Sequence, residues 1–154
     1  FRKILTSNLR LIMEVYKIYS SIERGLKAIP LCDISVSAGF PSPAEDHIDI
    51  ALDLNEHLIN YPAATFYVYA KGSSMKNAGI YDGDLMIVDR AIDPAHKSIV
   101  VAVIDGEFTV KRISKINDKL FLLPENEEYH PIEIKDTCNF QIWGIVIYTI
   151  HKPR

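Results

Sequence analysis

The sequence is poor in cysteine, in runs of one charge and in long apolar stretches, and each shortage excludes a class of protein. Two cysteines, Cys32 and Cys138, are too few and too far apart for a disulfide scaffold or a Cys-x-x-Cys metal site. No apolar run reaches the roughly 18 residues that a membrane helix needs, and no segment rich in Lys and Arg offers a phosphate-binding surface. The residues themselves favour a reduced, cytoplasmic protein that neither enters a membrane nor binds nucleic acid strongly.

What the sequence does contain is enough apolar material for a packed core. Of its 154 residues, 48% are hydrophobic and 24% are charged, and the formal net charge is -3. This composition excludes wholesale disorder and predicts one ordinary folded domain, or one domain with an arm.

The first part of the chain has the pattern of an arm. From Asn8 to Arg24, apolar and aromatic residues recur at helical spacing, which predicts a helix. Small residues and two prolines follow from Leu31 to Glu45, which predicts an extended and accessible segment. We expect residues 1–44 to form this partly helical arm and residues 45–154 to form the folded domain.

After Pro62 the pattern changes to that of a β domain. Short β-branched or alternating runs predict strands at Thr65–Lys71, Leu85–Arg90, Ser98–Ile104, Glu107–Ile113, Leu120–Leu123 and Phe140–Ile150. Asp105-Gly106 predicts a two-residue hairpin turn, and Gly144 predicts a bulge in the last strand. A short helix is expected from about Asp53 to Ile59. The fold class is therefore mainly β, with a compact, curved sheet.

Sequence motifs for common kinds of site are scarce. The five histidines are not spaced as metal ligands, and neither a Gly-x-Ser-x-Gly elbow nor a P-loop is present. We therefore expect no metal site and no bound cofactor.

Two segments carry weak signals of chemistry. Gly72 permits a tight turn in which the backbone N–H groups of Ser73 and Ser74 point at one oxygen, as an oxyanion hole requires, although such a turn usually has no function. Thr109 and Lys111 share one face of a predicted strand. If that face is buried, desolvation lowers the pKa of Lys111 and a neutral amine becomes available as a base. The pattern leaves open whether the lysine is buried or solvated.

A set of short motifs along the chain, taken together, is more specific. They are Ser37–Ala44 (SAGFPSPA), Gly72–Met75 (GSSM), Gly79–Leu85 (GIYDGDL), Ile87–Asp89 (IVD) and Asp105–Lys111 (DGEFTVK). In these residues, and from about Ser35 to His151 overall, the chain resembles the LexA/UmuD family of self-cleaving serine peptidases.

The resemblance implies a fold, an activity and partners. By position in the motifs, Ser74 matches the family's nucleophile, Lys111 its general base and Ala38-Gly39 the bond that is cut. The family's curved β-sheet peptidase fold and homodimerisation are implied, and so is activation by a RecA-type recombinase filament on single-stranded DNA. The processed dimer would then serve as accessory subunit of an error-prone Y-family translesion DNA polymerase in the SOS response.

Chemical reasoning adds two supporting roles to this pair. We expect the backbone N–H groups of Ser73 and Ser74 to hold the oxyanion, and the hydroxyl of Thr109 to orient the amine of Lys111.

The chain departs from the UmuD pattern at three places. Position 73 is Ser where UmuD usually has Asp, so two neighbouring hydroxyls compete as nucleophile, and the family position favours Ser74. The bond to be cut is Ala-Gly, as in LexA, rather than Cys-Gly. The segment before Ile34 is also longer than the UmuD arm. Two alternatives stay open: a fragment of a LexA-like self-cleaving repressor, and a non-catalytic dimerisation module.

Overall fold

The computed structural model describes residues 14–20, 29–32 and 48–153. Within these ranges strands dominate and the one α-helix, α1 (Leu54–Leu58), is short. The strands are β1 (Glu14–Ser20), β2 (Ile29–Cys32), β3 (Ile48–Leu52), β4 (Thr65–Lys71), β5 (Leu85–Asp89), β6 (Ile99–Ile104), β7 (Glu107–Ile116), β8 (Lys119–Leu123), β9 (Ile132–Ile134) and β10 (Phe140–Ile150). Single 3-10 turns lie at Pro62–Ala64 and Lys76–Ala78. The prediction of a mainly β fold is confirmed.

The described residues form two compact units. The first contains one antiparallel sheet of eight strands in the order β1-β4-β5-β10-β6-β7-β8-β9. Strand β1 also approaches β7, which lies five places away in the sheet, so the sheet is strongly curved, as predicted.

The second unit contains the antiparallel pair β2–β3 and helix α1. The helix begins after Asp53, whose Oδ1 atom accepts a hydrogen bond from the N–H of Asn55 at 2.7 Å. Such a side-chain cap satisfies one of the free donors of the first turn. The short helix predicted from Asp53 to Ile59 is therefore confirmed.

The helix predicted from Asn8 to Arg24 is wrong where the structure describes that segment. Residues Glu14–Ser20 form strand β1, which pairs with β4 from Glu14 opposite Lys71 to Ser20 opposite Phe66. The aromatic and β-branched residues of this segment recur at helical spacing, but residues of these types also favour strands. The free backbone edge of β4 provides a strand with which the segment pairs. Of the extended segment, only Leu31 and Cys32 are described, in β2, and Ala38-Gly39 lies outside the described residues.

The hairpin turn at Asp105-Gly106 and the bulge at Gly144 were predicted correctly. Asp105 and Gly106 both have positive φ angles, of 50° and 88°, and join β6 to β7 as a tight hairpin. The β6–β10 register shifts beside Gly144, where a Cβ atom would lie only 2.7 Å from Val88 Cγ1. Glycine is needed there because β5 comes close to the bulge. Strands β2, β3 and β9 were not predicted, because they are short or contain proline.

The core covers both faces of the middle of the sheet. One buried cluster contains Val101 and Val110, and a second contains Val100, Ala102 and Ile113. These residues alternate along β6 and β7, so neither strand has a solvent face over that stretch. The polar residues Thr109 and Lys111, in this part of β7, are therefore buried.

Candidate active site

The turn that carries Ser74 is tied at its base to the strands around it. The N–H of Gly72, at a φ of 96°, donates to Asp82 Oδ1 at 2.7 Å. Ala70 donates its N–H to the carbonyl of Asp84 at 2.8 Å and accepts a hydrogen bond from the N–H of Gly83 at 2.9 Å. These hydrogen bonds hold the two ends of the loop together, so the position at which the turn leaves the sheet is fixed.

Two apolar side chains anchor the same loop in the core. Met75, directly after Ser74, is fully buried, and Ile80 is 2% exposed. Because these anchors face the first core cluster, the turn is drawn down against the sheet. Ser74 is itself buried completely.

Lys111 meets this turn from strand β7. Its Nζ atom lies 2.8 Å from Ser74 Oγ, 3.1 Å from Thr109 Oγ1 and 2.9 Å from the carbonyl oxygen of Val110. The residue is 1% exposed. The sequence left open whether this lysine is solvated, and the structure buries it together with Thr109.

The environment of Lys111 makes its amine easier to deprotonate than that of an ordinary lysine. Burial lowers its pKa from an ordinary 10.5 to about 8, because a charged ammonium loses its hydration there. A neutral amine has two N–H donors and one lone pair. The protonated amine donates to Ser74 Oγ, Thr109 Oγ1 and the Val110 carbonyl. Once deprotonated, it can keep the donations to Thr109 and Val110 and accept a hydrogen bond from the Ser74 hydroxyl at its lone pair. The geometry therefore suits transfer of the Ser74 proton to Lys111.

The neighbouring hydroxyl of Ser73 has a different partner. Its Oγ atom is hydrogen-bonded to the Tyr129 hydroxyl at 2.9 Å, and its carbonyl accepts a hydrogen bond from Asn126 Nδ2 at 3.0 Å. The backbone N–H groups of Ser73 and Ser74 donate no hydrogen bond within the part of the chain that the structure describes. Of the two adjacent serines, Ser74 is the one brought to the lysine.

The turn is also supported by a segment that was not predicted from the sequence. Residues 125–129, between β8 and β9, contact it at several points. Glu125 donates its N–H to the carbonyl of Ser74 at 2.8 Å and accepts a hydrogen bond from the N–H of Asn77 at 2.9 Å, while Lys76 Nζ lies 3.7 Å from Glu128 Oε2. This segment is about 50 residues away in sequence, and only the Pro-Glu-Asn turn signal after β8 marks it.

The described residues form neither a cluster of metal ligands nor a membrane-spanning helix. In residues 14–20, 29–32 and 48–153, no three His, Cys, Asp or Glu side chains gather where they could hold a metal ion. No helix in the same ranges combines the length and apolarity that crossing a membrane requires.

Comparison with known proteins agrees with the motifs. Residues 30–147, which include Ser74 and Lys111, match the family described as Peptidase S24-like. The chain is 47% identical over 125 residues to Protein SamA of Salmonella typhimurium, covering 81% of this chain and 86% of that protein. It is 39% identical over 140 residues to Protein MucA of Escherichia coli, covering 90% and 94%. The LexA repressor of Hahella chejuensis is 44% identical over 99 residues, covering 64% of this chain and 49% of the repressor. The predicted resemblance is confirmed, and the chain belongs to the Peptidase S24-like family.

Proposed function

We propose that this protein is a self-cleaving serine peptidase that cuts its own arm at Ala38-Gly39, with Ser74 as nucleophile and Lys111 as general base. The observation that carries the proposal is the 2.8 Å separation of Lys111 Nζ and Ser74 Oγ in a buried site. A nucleophile within hydrogen-bond reach of a base whose pKa is lowered is the arrangement that covalent catalysis requires. Membership of a peptidase family supports peptide-bond cleavage as the reaction that this serine and lysine catalyse.

The steps follow from the positions of these groups. Neutral Lys111 takes the Ser74 proton as Oγ attacks the carbonyl carbon of Ala38. The intermediate collapses when the C–N bond breaks and the lysine ammonium gives its proton to the Gly39 nitrogen. The acyl group is left on Ser74, and Lys111 then deprotonates a water molecule that releases Ala38 as a carboxylate.

Two further groups support the charge changes in these steps. The N–H groups of Ser73 and Ser74, which have no other acceptor within the described ranges, would stabilise the oxyanion. The Thr109 hydroxyl, 3.1 Å from the amine, would keep the lone pair of Lys111 directed at Ser74. Because the arm is part of the same chain, its effective concentration at the site is high and no bimolecular binding step is needed.

The biological role is proposed from the resemblance to UmuD. We infer a cytoplasmic homodimer whose cleavage is promoted by a RecA-type recombinase filament on single-stranded DNA. In this view the filament favours a sparsely populated conformation in which the arm enters the site. The cleaved dimer then acts in SOS mutagenesis as accessory subunit of a Y-family translesion DNA polymerase.

Similarity over more of this chain favours this role over that of a repressor. The matches to SamA and MucA cover 81% and 90% of this chain, whereas the match to the LexA repressor covers 64% of it.

Intact mass spectrometry of the purified chain at about pH 10 tests the chemistry. At that pH the amine of Lys111 is neutral, so we expect a fragment that begins at Gly39. A Ser74→Ala chain incubated beside it should stay whole. Cleavage that persists in Ser74→Ala would contradict the assignment of the nucleophile.

The outcome also decides between catalysis and simple binding. If wild-type protein stays whole at alkaline pH and also with recombinase, single-stranded DNA and nucleotide, the domain is a non-catalytic dimerisation module. Cleavage only in the presence of the filament would support the proposed activation.

A further inference from the structure

Beside the two reacting side chains lies an ion pair that joins the same two structural elements. Arg112 follows Lys111 in β7, so its side chain leaves the strand on the opposite face. Its Nε atom donates to Oε1 of Glu125, and a terminal nitrogen donates to the carbonyl of Lys97 at 2.7 Å. Each side chain of the Arg112–Glu125 pair is 27% exposed. The guanidinium is therefore held from two sides.

Glu125 is bound through its backbone to the turn of the nucleophile. Its N–H donates to the Ser74 carbonyl at 2.8 Å, and its own carbonyl accepts a hydrogen bond from Asn77 at 2.9 Å. Strand pairing brings Glu125 close to Arg112, because Arg112 lies opposite Leu123, where β8 ends. Glu125 thus contacts both the strand of Lys111 and the turn of Ser74.

These contacts close a ring around the candidate active site. Ser74 meets Lys111 through the hydroxyl–amine hydrogen bond, Lys111 is covalently joined to Arg112, Arg112 pairs with Glu125, and Glu125 returns to the Ser74 carbonyl. Three of these four links persist when the Ser74 hydroxyl turns from the amine to attack. The ring can therefore keep the two elements in place while the proton moves.

We propose that Arg112 and Glu125 form a positioning pair that sets the separation of Ser74 Oγ and Lys111 Nζ during self-cleavage. This inference rests on the proposed function. Proton transfer needs heavy atoms about 2.6–3.2 Å apart, and a displacement of about 1 Å can cost roughly 10²-fold in rate. A partly exposed ion pair, in contrast, usually adds little to stability. The pair should matter much more to the rate than to the fold.

Self-cleavage rates of three variants at about pH 10 test the inference. We expect Glu125→Ala and Arg112→Ala each to cleave roughly 10- to 100-fold more slowly than wild type, with little change in Tm. The double variant should be no slower than the slower single variant, because each change alone already breaks the same Arg112–Glu125 pair. Additive losses in the double variant, or wild-type rates in the single variants, would overturn the proposal.

The pH dependence of cleavage separates positioning from simple stabilisation. The partners of the Lys111 amine are the Ser74 and Thr109 hydroxyls and the Val110 carbonyl, and burial is the cause of its lowered pKa. A loosened turn admits water, so the pKa of Lys111 should rise and the cleavage midpoint should move above about 8. A slower variant whose midpoint is unchanged would contradict a positioning role.

A matched ion pair away from the site serves as control. Lys119 Nζ lies 2.8 Å from Glu133 Oε1 between β8 and β9, and Glu133→Ala should cleave at the wild-type rate. If Glu125→Ala does not fold, Glu125→Gln removes only the charge and should still slow cleavage several-fold; an unchanged rate would overturn the proposal. A wild-type chain that never cleaves would instead overturn the proposed function, and the positioning role with it.

Discussion

Two lysines on neighbouring strands differ in burial and in hydrogen-bond partners, because one lies in the centre of the sheet and the other near its edge. Lys111, in the centre, is 1% exposed and contacts two hydroxyls and a carbonyl. Lys119 begins β8 beside the edge strand β9, has a side chain that is 63% exposed and pairs with Glu133. Burial lowers the pKa of Lys111 to about 8, whereas at the edge the hydrogen bond from Lys119 lowers the pKa of Glu133. Burial among neutral groups prepares a lysine to accept a proton, and a surface carboxylate does not.

Removing each lysine in turn tests whether only the buried one takes part in cleavage, and it should give the largest difference in rate. Lys111→Ala should lower the rate of self-cleavage by about 10³-fold or more, because general-base catalysis typically contributes 10²–10⁴-fold. Lys119→Ala should cleave like wild type, since its side chain pairs at the surface. Intact mass at about pH 10 measures both rates, and circular dichroism checks that each variant is folded. Undiminished cleavage in Lys111→Ala would refute the assignment of the base.

The pH profile of cleavage sharpens the same contrast. Only neutral Lys111 accepts the proton, and its pKa is about 8, so the rate should rise roughly tenfold per pH unit up to about pH 8 and then level off. Initial rates from pH 6 to pH 10 measure the midpoint. A midpoint near 10.5, the ordinary value, would show that the amine of Lys111 is solvated.

Stability should also depend on pH through the buried lysine. From about pH 8 to 10.5, Lys111 is neutral in the folded chain but still protonated in the unfolded chain. The unfolded state then binds more protons, so the free energy of unfolding contributed by Lys111 rises with pH across that window, by about 3 kcal/mol. Urea unfolding of Ser74→Ala and of Ser74→Ala/Lys111→Met, neither of which should cleave, at pH 7.5 and 10.5 measures the difference. An equal change with pH in both proteins would contradict this.

A smaller loss of rate is expected when the Thr109 hydroxyl is removed. Thr109→Val keeps the shape of the side chain but removes its 3.1 Å hydrogen bond to Lys111, so we expect cleavage to slow by about tenfold. Thr109→Ser retains a hydroxyl and should recover most of the rate. If Val and Ser variants cleave equally fast, the hydroxyl has no orienting role.

Local chemistry made much of the fold predictable. Strands β4 to β8 and β10, the Asp105-Gly106 hairpin and the bulge at Gly144 follow from β-branched runs and from glycine's freedom at tight positions. Strand β1 was missed because its residues suit two periods, and pairing with β4 decided between them. The support from Glu125 was missed because a backbone contact between distant segments leaves no local pattern.

β-branched runs and glycine turns were sufficient to predict the mainly β fold class, and the motifs were sufficient to predict the peptidase family. The folded sheet, in contrast, settled the burial of Lys111, because it covers both faces of β7 there and desolvates the amine. It also directed the hydroxyl of Ser74 to the lysine and that of Ser73 to Tyr129. The physical reason is that backbone preferences act between neighbours in sequence, whereas desolvation and the alignment of a hydroxyl with an amine depend on segments that meet only when the sheet folds.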